Sequence, residues 1–460
     1  MPVAGVCSMV TLQGIQPLMK HMGNHFQTKG NEVESAGFSG EEMGASGCGT
    51  PVPGPKSDHG TAGPGVIVRS TVRITVALGL LAGLVHFGFL LHGHPDYGRT
   101  GSFTLISGAA FGVLLQRSRF CFFCCLHDLF EDGDSRGVLG ILTALVIGSI
   151  GYMVMMGAWI ADPSAGYLPR TAHIGPVSWP LAAGGLAFGI GMAFSGSCIS
   201  AHLYRLGEGS VLAPFALAGA LGGFVLGFLS WNFLYLNSLA TAPVIWIPEH
   251  TGYAGALALQ VLVFAVMGCF LLRWIKRNPR GADTDEPITL KLIIRKVFSD
   301  RWPTWAGGIG VGILAVFTLI RTEPLGVTAE LGRISRTLGT IAGWLPERFQ
   351  GLDGFAGCVM VAESPGLSQN AIFVLALVGA SLMTALWAGQ FKPVRQPVRN
   401  FPMAVLGGVL LGWGAMVSLG CTIGTTLSGI MAFAASGWVF TLAMIAGVWL
   451  GIRVRSWSGI

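Results

Sequence analysis

Apolar residues in this chain come in blocks almost free of charge, and the polar residues are confined to the gaps between them. Long apolar runs cover 74–91, 137–160, 211–236, 254–274, 304–320, 370–390 and 436–452. Each is close to the roughly 20 residues that a helix needs to cross the hydrocarbon core of a bilayer. Three shorter apolar pieces, 103–115, 181–194 and 402–417, are broken by Gly and Ser, and each is followed by a cysteine. Such pieces are too short to cross, and irregular backbone at membrane depth survives only inside protein or against a water-lined cavity. The pattern predicts an all-α polytopic membrane protein in which several re-entrant half-helices carry Cys at the helix breaks. The segment 322–367, with Pro324, Pro346 and several charges, reads as mostly outside the bilayer, with a short amphipathic helix at 327–339.

Charge then sets the organisation. Lys276, Arg277, Arg280, Lys291, Arg295, Lys296 and Arg301 fill one loop, Lys392, Arg395 and Arg399 another, and Arg453 and Arg455 lie near the end of the chain. By the positive-inside rule these segments, and the Arg69/Arg73 flank of the first run, are cytoplasmic, which puts both termini on that side. The resulting division is a disordered polar leader at 1–66, a first transmembrane half at 67–274, a basic cytoplasmic linker at 275–303 and a second transmembrane half at 304–460. The leader is rich in Gly, Ser, Pro, Glu and His and has no signal-peptide pattern. Over all 460 residues 52% are apolar and only 11% charged, against about a quarter charged in soluble domains. Mean hydropathy is +0.63. The net charge of +6 sits in short loops, so it is a topology signal and not a nucleic-acid footprint.

The chain also repeats itself. Gly184-Gly185, Gly189, Gly191, Ser195 and Cys198 recur as Gly407-Gly408, Gly412, Gly414, Ser418 and Cys421 with identical spacing. The same frame fits Gly108, Gly112, Ser118 and Cys121, and again Gly308, Gly312, Thr318 and Arg321. In each copy a glycine stands 13 positions before the last residue, so four copies offer three thiols and one guanidinium. Broken helices repeated in two halves are a common way to build a transport site, and the reading is a pseudo-symmetric, inverted-repeat bundle. Paired glycines give smooth faces for close helix packing, and the Ser-Gly-Ser before Cys198 and Ser-Leu-Gly before Cys421 break the helix. Ser195, Gly196, Ser418 and Gly420 therefore shape the breaks. A second half-helix starting near each cysteine presents the partial positive charge of its N-terminus, which favours an anion.

A thiol is small, polarizable, a weak donor and a weak acceptor, so three of them suit a soft sulfur-containing anion better than a hard hydrated ion. Arg119 beside Cys121, and Arg321 in the fourth copy, are cations on the same predicted route, although arginines at helix ends also snorkel to the interface. His127, Asp128, His202 and Glu208 match no metal-ligand spacing. The Cys121/Cys124 pair forms a Cys-x-x-Cys and keeps open a transmembrane thiol–disulfide electron shuttle. Against it, Ala201 and Gly424 occupy the corresponding places in the other copies. A third reading is a scaffold recruiting a partner through the basic loop 273–301. Walker, Rossmann and HExxH signatures are absent, so neither an ATP-driven machine nor a cofactor-dependent enzyme is indicated.

The stretches Ser118-Arg119-Phe120-Cys121-Phe122, Gly196-Ser197-Cys198 through Arg205-Leu206-Gly207-Glu208-Gly209-Ser210, and Gly420-Cys421-Thr422 resemble the signature segments of the YeeE/YedE sulfur-transport family. The likeness spans roughly 75–455. It implies a bacterial inner-membrane protein that takes up thiosulfate, or a related sulfur or selenium anion, through a helical fold of pseudo-symmetric halves. It further implies substrate contacts at Cys121, Cys198 and Cys421 and a small cytoplasmic TusA-like sulfur carrier as partner. Against the family pattern, this chain adds Cys124 and Cys125 beside the first motif, His127 where arginine is expected, and long segments near 238–252 and 322–367.

Overall fold

The computed structural model describes residues 64–169, 172–273, 300–352 and 367–457. The polar leader at 1–66 and the basic linker at 275–303 lie outside these residues for nearly all their length. What is described is helical, with two isolated bridges, Pro176 to Val244 and Trp246 to Ala434, in place of any sheet. The helices are α1 (Pro64–Gly93), α2 (Gly98–Ser118), α3 (Phe122–His127), α4 (Arg136–Trp159), α5 (Trp179–Ser195), α6 (Ile199–Gly207) and α7 (Ala213–Asn237). They continue with α8 (Ile247–Arg273), α9 (Thr304–Arg321), α10 (Ala329–Ile341), α11 (Gln369–Trp387), α12 (Asn400–Val417) and α13 (Ala435–Trp457). A π-helical stretch, Thr422–Ser428, and one further turn, Gly429–Met431, lead from α12 to α13.

Ten stretches among the described residues are long and apolar enough to cross a membrane, and the protein is a multi-pass membrane protein. The three short apolar pieces belong to helices longer than the pieces themselves: α2 has 21 residues, α5 has 17 and α12 has 18. Polar and small residues at their ends, such as Arg99 to Ser102, join the helix because its backbone bonds do not depend on side-chain polarity. Beyond their breaks α2 and α5 are continued by α3 and α6, giving spanning stretches of 35 and 29 residues. The stretch with α2 and α3 is the most enclosed, 72% of its apolar window being buried, while α1 is only 11% buried and lies at the periphery. The amphipathic helix predicted at 327–339 is α10, shifted by two residues.

The frame glycines hold the core together. A Cβ on Gly184 would meet the carbonyl of Gly414, and one on Gly414 would meet the carbonyl of Gly184; Gly191 and Gly407 are related in the same reciprocal way. α5 and α12 therefore cross antiparallel with backbone touching backbone, and at Gly191, Gly407 and Gly414 the approach is one that only glycine permits. The other glycines of the frame face outward from this pair. Gly185 and Gly189 lie on Phe440 and Met444 of α13, and Gly408 and Gly412 on Ala216 and Ala220 of α7. Likewise Gly108 and Gly112 of α2 lie on Phe373 and Leu377 of α11, while Gly308 and Gly312 of α9 lie on Gly140 and Ala144 of α4. Every frame helix thus packs on a helix from the opposite half of the chain.

Candidate functional site

The three cysteine motifs have one local design. Ser118, Ser195 and Ser418 each turn the side-chain hydroxyl back onto the carbonyl four residues earlier, at 2.6, 2.8 and 2.6 Å. The hydroxyls of Ser195 and Ser418 also reach the carbonyls of Ser197 and Gly420 ahead of them, at 3.1 and 3.0 Å. The next residue, Arg119, Gly196 or Leu419, takes a left-handed conformation with φ of 49°, 79° and 59° respectively. Two positions later the cysteine stands in extended backbone and serves as the N-cap residue of the following helical segment. A left-handed residue ends a helix by redirecting the chain, and glycine alone adopts it without steric cost. Arg119 and Leu419 hold it because the surrounding packing fixes them there.

The breaks meet inside the bundle. Cys121, Cys198 and Cys421 are all buried, and the sulfurs of Cys121 and Cys198, 77 residues apart in sequence, lie 3.9 Å from each other. Ser200 Oγ is 3.2 Å from the Cys198 sulfur. Cys421 is close enough to Cys198 for their charges to interact if ionised, and the backbone N–H groups of Ile423 and Gly424 lie by its sulfur. Those of Ala201 and Phe122 lie by Cys198, and that of Cys124 by Cys121. Partial positive charge from helix starts therefore gathers around the thiols, and Arg205 acts electrostatically on Cys121. Arg205 is held to one side, donating to the Gly196 carbonyl and to the Cys124 sulfur, both at 3.2 Å. Cys121 is a free thiol, so it is not bridged to Cys124.

The sulphur-transport family model matches residues 117–450, a stretch that contains all three cysteine motifs and both halves. The chain belongs to the sulphur transport family. A thiosulfate transporter of Escherichia coli (strain K12), TsuA, is 23% identical over 358 residues, covering 75% of this chain and 92% of that protein. The thiosulfate transporter TsuA of Spirochaeta thermophila is 28% identical over 351 residues, 75% of this chain and 96% of its own length. A probable transporter of E. coli, YedE, is 28% identical over 155 residues, covering 33% of this chain.

Within this family member, other groups close the site that the sequence did not single out. Gly420 is needed for proximity: a Cβ there would stand 2.5 Å from Thr425 Oγ1 and 3.1 Å from His173 Nε2. His173 Nε2 lies 3.1 Å from Thr425 Oγ1, and burial pushes its pKa down to about 4, so the ring is neutral near pH 7. It comes from the loop before α5, which is tied down by Val177 N–H to Pro243 O at 2.9 Å and Gly175 N–H to Ser436 Oγ at 3.2 Å. Beside it His173, Ser178, Ser418, Thr425 and Ser436 help to line a cavity of about 10 Å³, room for a single water. Thr328, the N-cap residue of α10, places its side chain by Cys421. No spacing rule links positions 173 or 328 to the cysteine frame, so only folding reveals them.

The predicted cations lie elsewhere. Arg119 ends α2 and acts electrostatically on Tyr204 and Glu208; Glu208 accepts from Gln116 Nε2 at 3.2 Å. Arg321, at the end of α9, is exposed and lines a separate cavity of about 310 Å³ with Thr100, Thr104, Glu323 and Gln369. None of the cysteines lines that cavity.

Proposed function

We propose that this protein carries thiosulfate, or a closely related sulfur oxyanion, across the bacterial inner membrane along a route contacted by Cys121, Cys198 and Cys421. The observation that carries the reading is the 3.9 Å approach of the Cys121 and Cys198 sulfurs, in the middle of an apolar bundle. Thiols at the starts of three short helical segments suit a divalent anion with one soft end. The sulfur end loses little by exchanging water for S–H donors, and the oxygens meet backbone N–H groups. The names of the TsuA relatives agree with this substrate. The reciprocal glycine contacts between α5 and α12, and the packing of each frame helix on the opposite half, support an inverted repeat with the site at the axis. Basic flanks near Arg69 and Arg73, at 392–399 and at 453–455 support a cytoplasmic position for both termini. A TusA-like carrier is then the natural cytoplasmic recipient of the sulfur.

The test is uptake of labelled thiosulfate into proteoliposomes by single Cys→Ala variants at the three positions. Each should lose at least about ten-fold in uptake while its level in the membrane is kept, and Cys→Ser should rescue poorly because a hydroxyl prefers water more strongly than a thiol does. Full activity in all three alanine variants would overturn the assignment. Competition by sulfite, sulfate and selenium analogues ranks the anions, and reversible oxidation of Cys121 with Cys124 during turnover would favour the electron-shuttle reading instead.

A further inference from the structure

The sequence frame puts Arg321 where the other three copies have cysteine, but the residue of this segment that reaches the cysteines is Thr328. α9 ends at Arg321, exposed on the 310 Å³ cavity. The chain then turns inward past that cavity through the buried Leu325 and Val327 to Thr328, which is wholly buried. The Leu325 carbonyl accepts from Ser428 Oγ at 3.1 Å, fastening this segment to the stretch that follows Cys421. Thr328 is the N-cap residue of a 13-residue helix, as each cysteine is of its own segment. Threonine commonly caps a helix with its own oxygen, yet here it makes no such bond. The one partner its Oγ1 is offered among the described residues is the weakly accepting Cys421 thiol. Thr422, the residue that follows Cys421, is buried as well, and its Oγ1 is unpartnered among the described residues.

A buried hydroxyl with no partner, or with only a thiol, is costly and uncommon; one of each kind beside Cys421 points to an acceptor that comes and goes. We propose that Thr328 and Thr422 form an oxyanion subsite at Cys421, their O–H groups binding the oxygens of the transported anion while the thiol faces its sulfur. The start of α10 adds partial positive charge to this subsite. Glu330 in the first turn of that helix does not oppose it, because Arg333 Nε donates to its carboxylate at 3.0 and 3.2 Å and Ser368 Oγ at 2.5 Å. The proposal rests on the cysteine-contacted route proposed above and adds the oxygen half of the recognition.

The experiment compares Thr328→Val, which keeps shape and removes the hydroxyl, with Thr328→Ser, which keeps the hydroxyl, both in proteoliposomes with labelled thiosulfate. Thr328→Val should raise KM about ten-fold with maximal rate within about two-fold, the effect of one hydrogen bond to a charged ligand, and Thr328→Ser should restore KM. Purified Thr328→Val should keep the ligand-free unfolding temperature but gain less from added thiosulfate than wild type. A Thr328→Val protein with unchanged KM, while Cys421→Ala is impaired, overturns the subsite and leaves the cysteine reading standing. A lowered ligand-free unfolding temperature that serine does not repair makes the hydroxyl structural and also overturns it. If Cys421→Ala transports normally, the cysteine reading itself fails, and the subsite with it.

Discussion

The frame glycines permit a sharp prediction, because the same substitution should act differently at two glycines that face each other across one helix pair. A Cβ at Gly414 would stand 2.5 Å from the Gly184 carbonyl oxygen, 2.9 Å from the Phe188 backbone nitrogen and 3.0 Å from the Phe188 Cβ. Relieving this needs α5 and α12 to separate by about 1 Å, since non-bonded contacts sit comfortably near 3.5 Å. Backbone cannot rotate aside as a side chain can, so the cost falls on the whole helix pair. Overpacking of this kind costs about 1–3 kcal/mol, partly offset by the ~1 kcal/mol that alanine gains over glycine inside a helix. At Gly184 the nearest contact would be 3.0 Å and the next 3.3 Å, so Gly184→Ala should be close to neutral. At Gly222, on the face of α7 with nothing within 4 Å, Gly→Ala should stabilise. The expected order of unfolding temperature in detergent is Gly222→Ala, then Gly184→Ala, then Gly414→Ala. Uptake should fall in the last variant, because Ser418 and Cys421 follow directly from the displaced end of α12. A Gly414→Ala protein as stable and active as Gly222→Ala would refute the claim that backbone contact between the two frames organises the site.

Further outcomes follow from the same geometry. His173 has its pKa lowered to about 4 by burial, against about 6.5 unfolded, so its contribution is present above pH 6.5 and lost as pH falls towards 4. The loss is on the order of 3 kcal/mol; unfolding temperature should decline across that window, and His173→Gln should flatten the profile. Oxidants that couple neighbouring thiols should join Cys121 to Cys198 after a small approach, since a disulfide needs about 2 Å between sulfurs and they start 3.9 Å apart. Uptake should stop and return with reductant, and a block that reductant does not reverse would refute the cross-link. Arg321, exposed on its cavity, should act at long range: Arg321→Ala should slow uptake about two- to three-fold at low ionic strength and negligibly at high salt, where such fields are screened. A salt-independent defect would mean direct contact instead.

Hydropathy, charge and the glycine–cysteine frame were enough to assign a helical membrane protein, its apolar segments and the residues at its helix breaks, because those features depend on local composition and on spacing along one helix. The family likeness was legible for the same reason: each signature is a short contiguous stretch. What the chain order could not give was which thiols approach one another, since that depends on how α2, α5 and α12 cross. It also could not show that Leu419, and not the adjacent Gly420, is the left-handed residue at its break, or that Gly420 is needed for the close approach of Thr425 and His173. Thr328 is the clearest case. By register Arg321 was the fourth member, but a helix N-terminus is placed by where the preceding segment can be buried, and the apolar Leu325 and Val327 draw the chain inward by seven residues before α10 begins. Spacing within a helix is fixed by covalent geometry, whereas contact between helices is decided by packing, and the candidate site is made of such contacts.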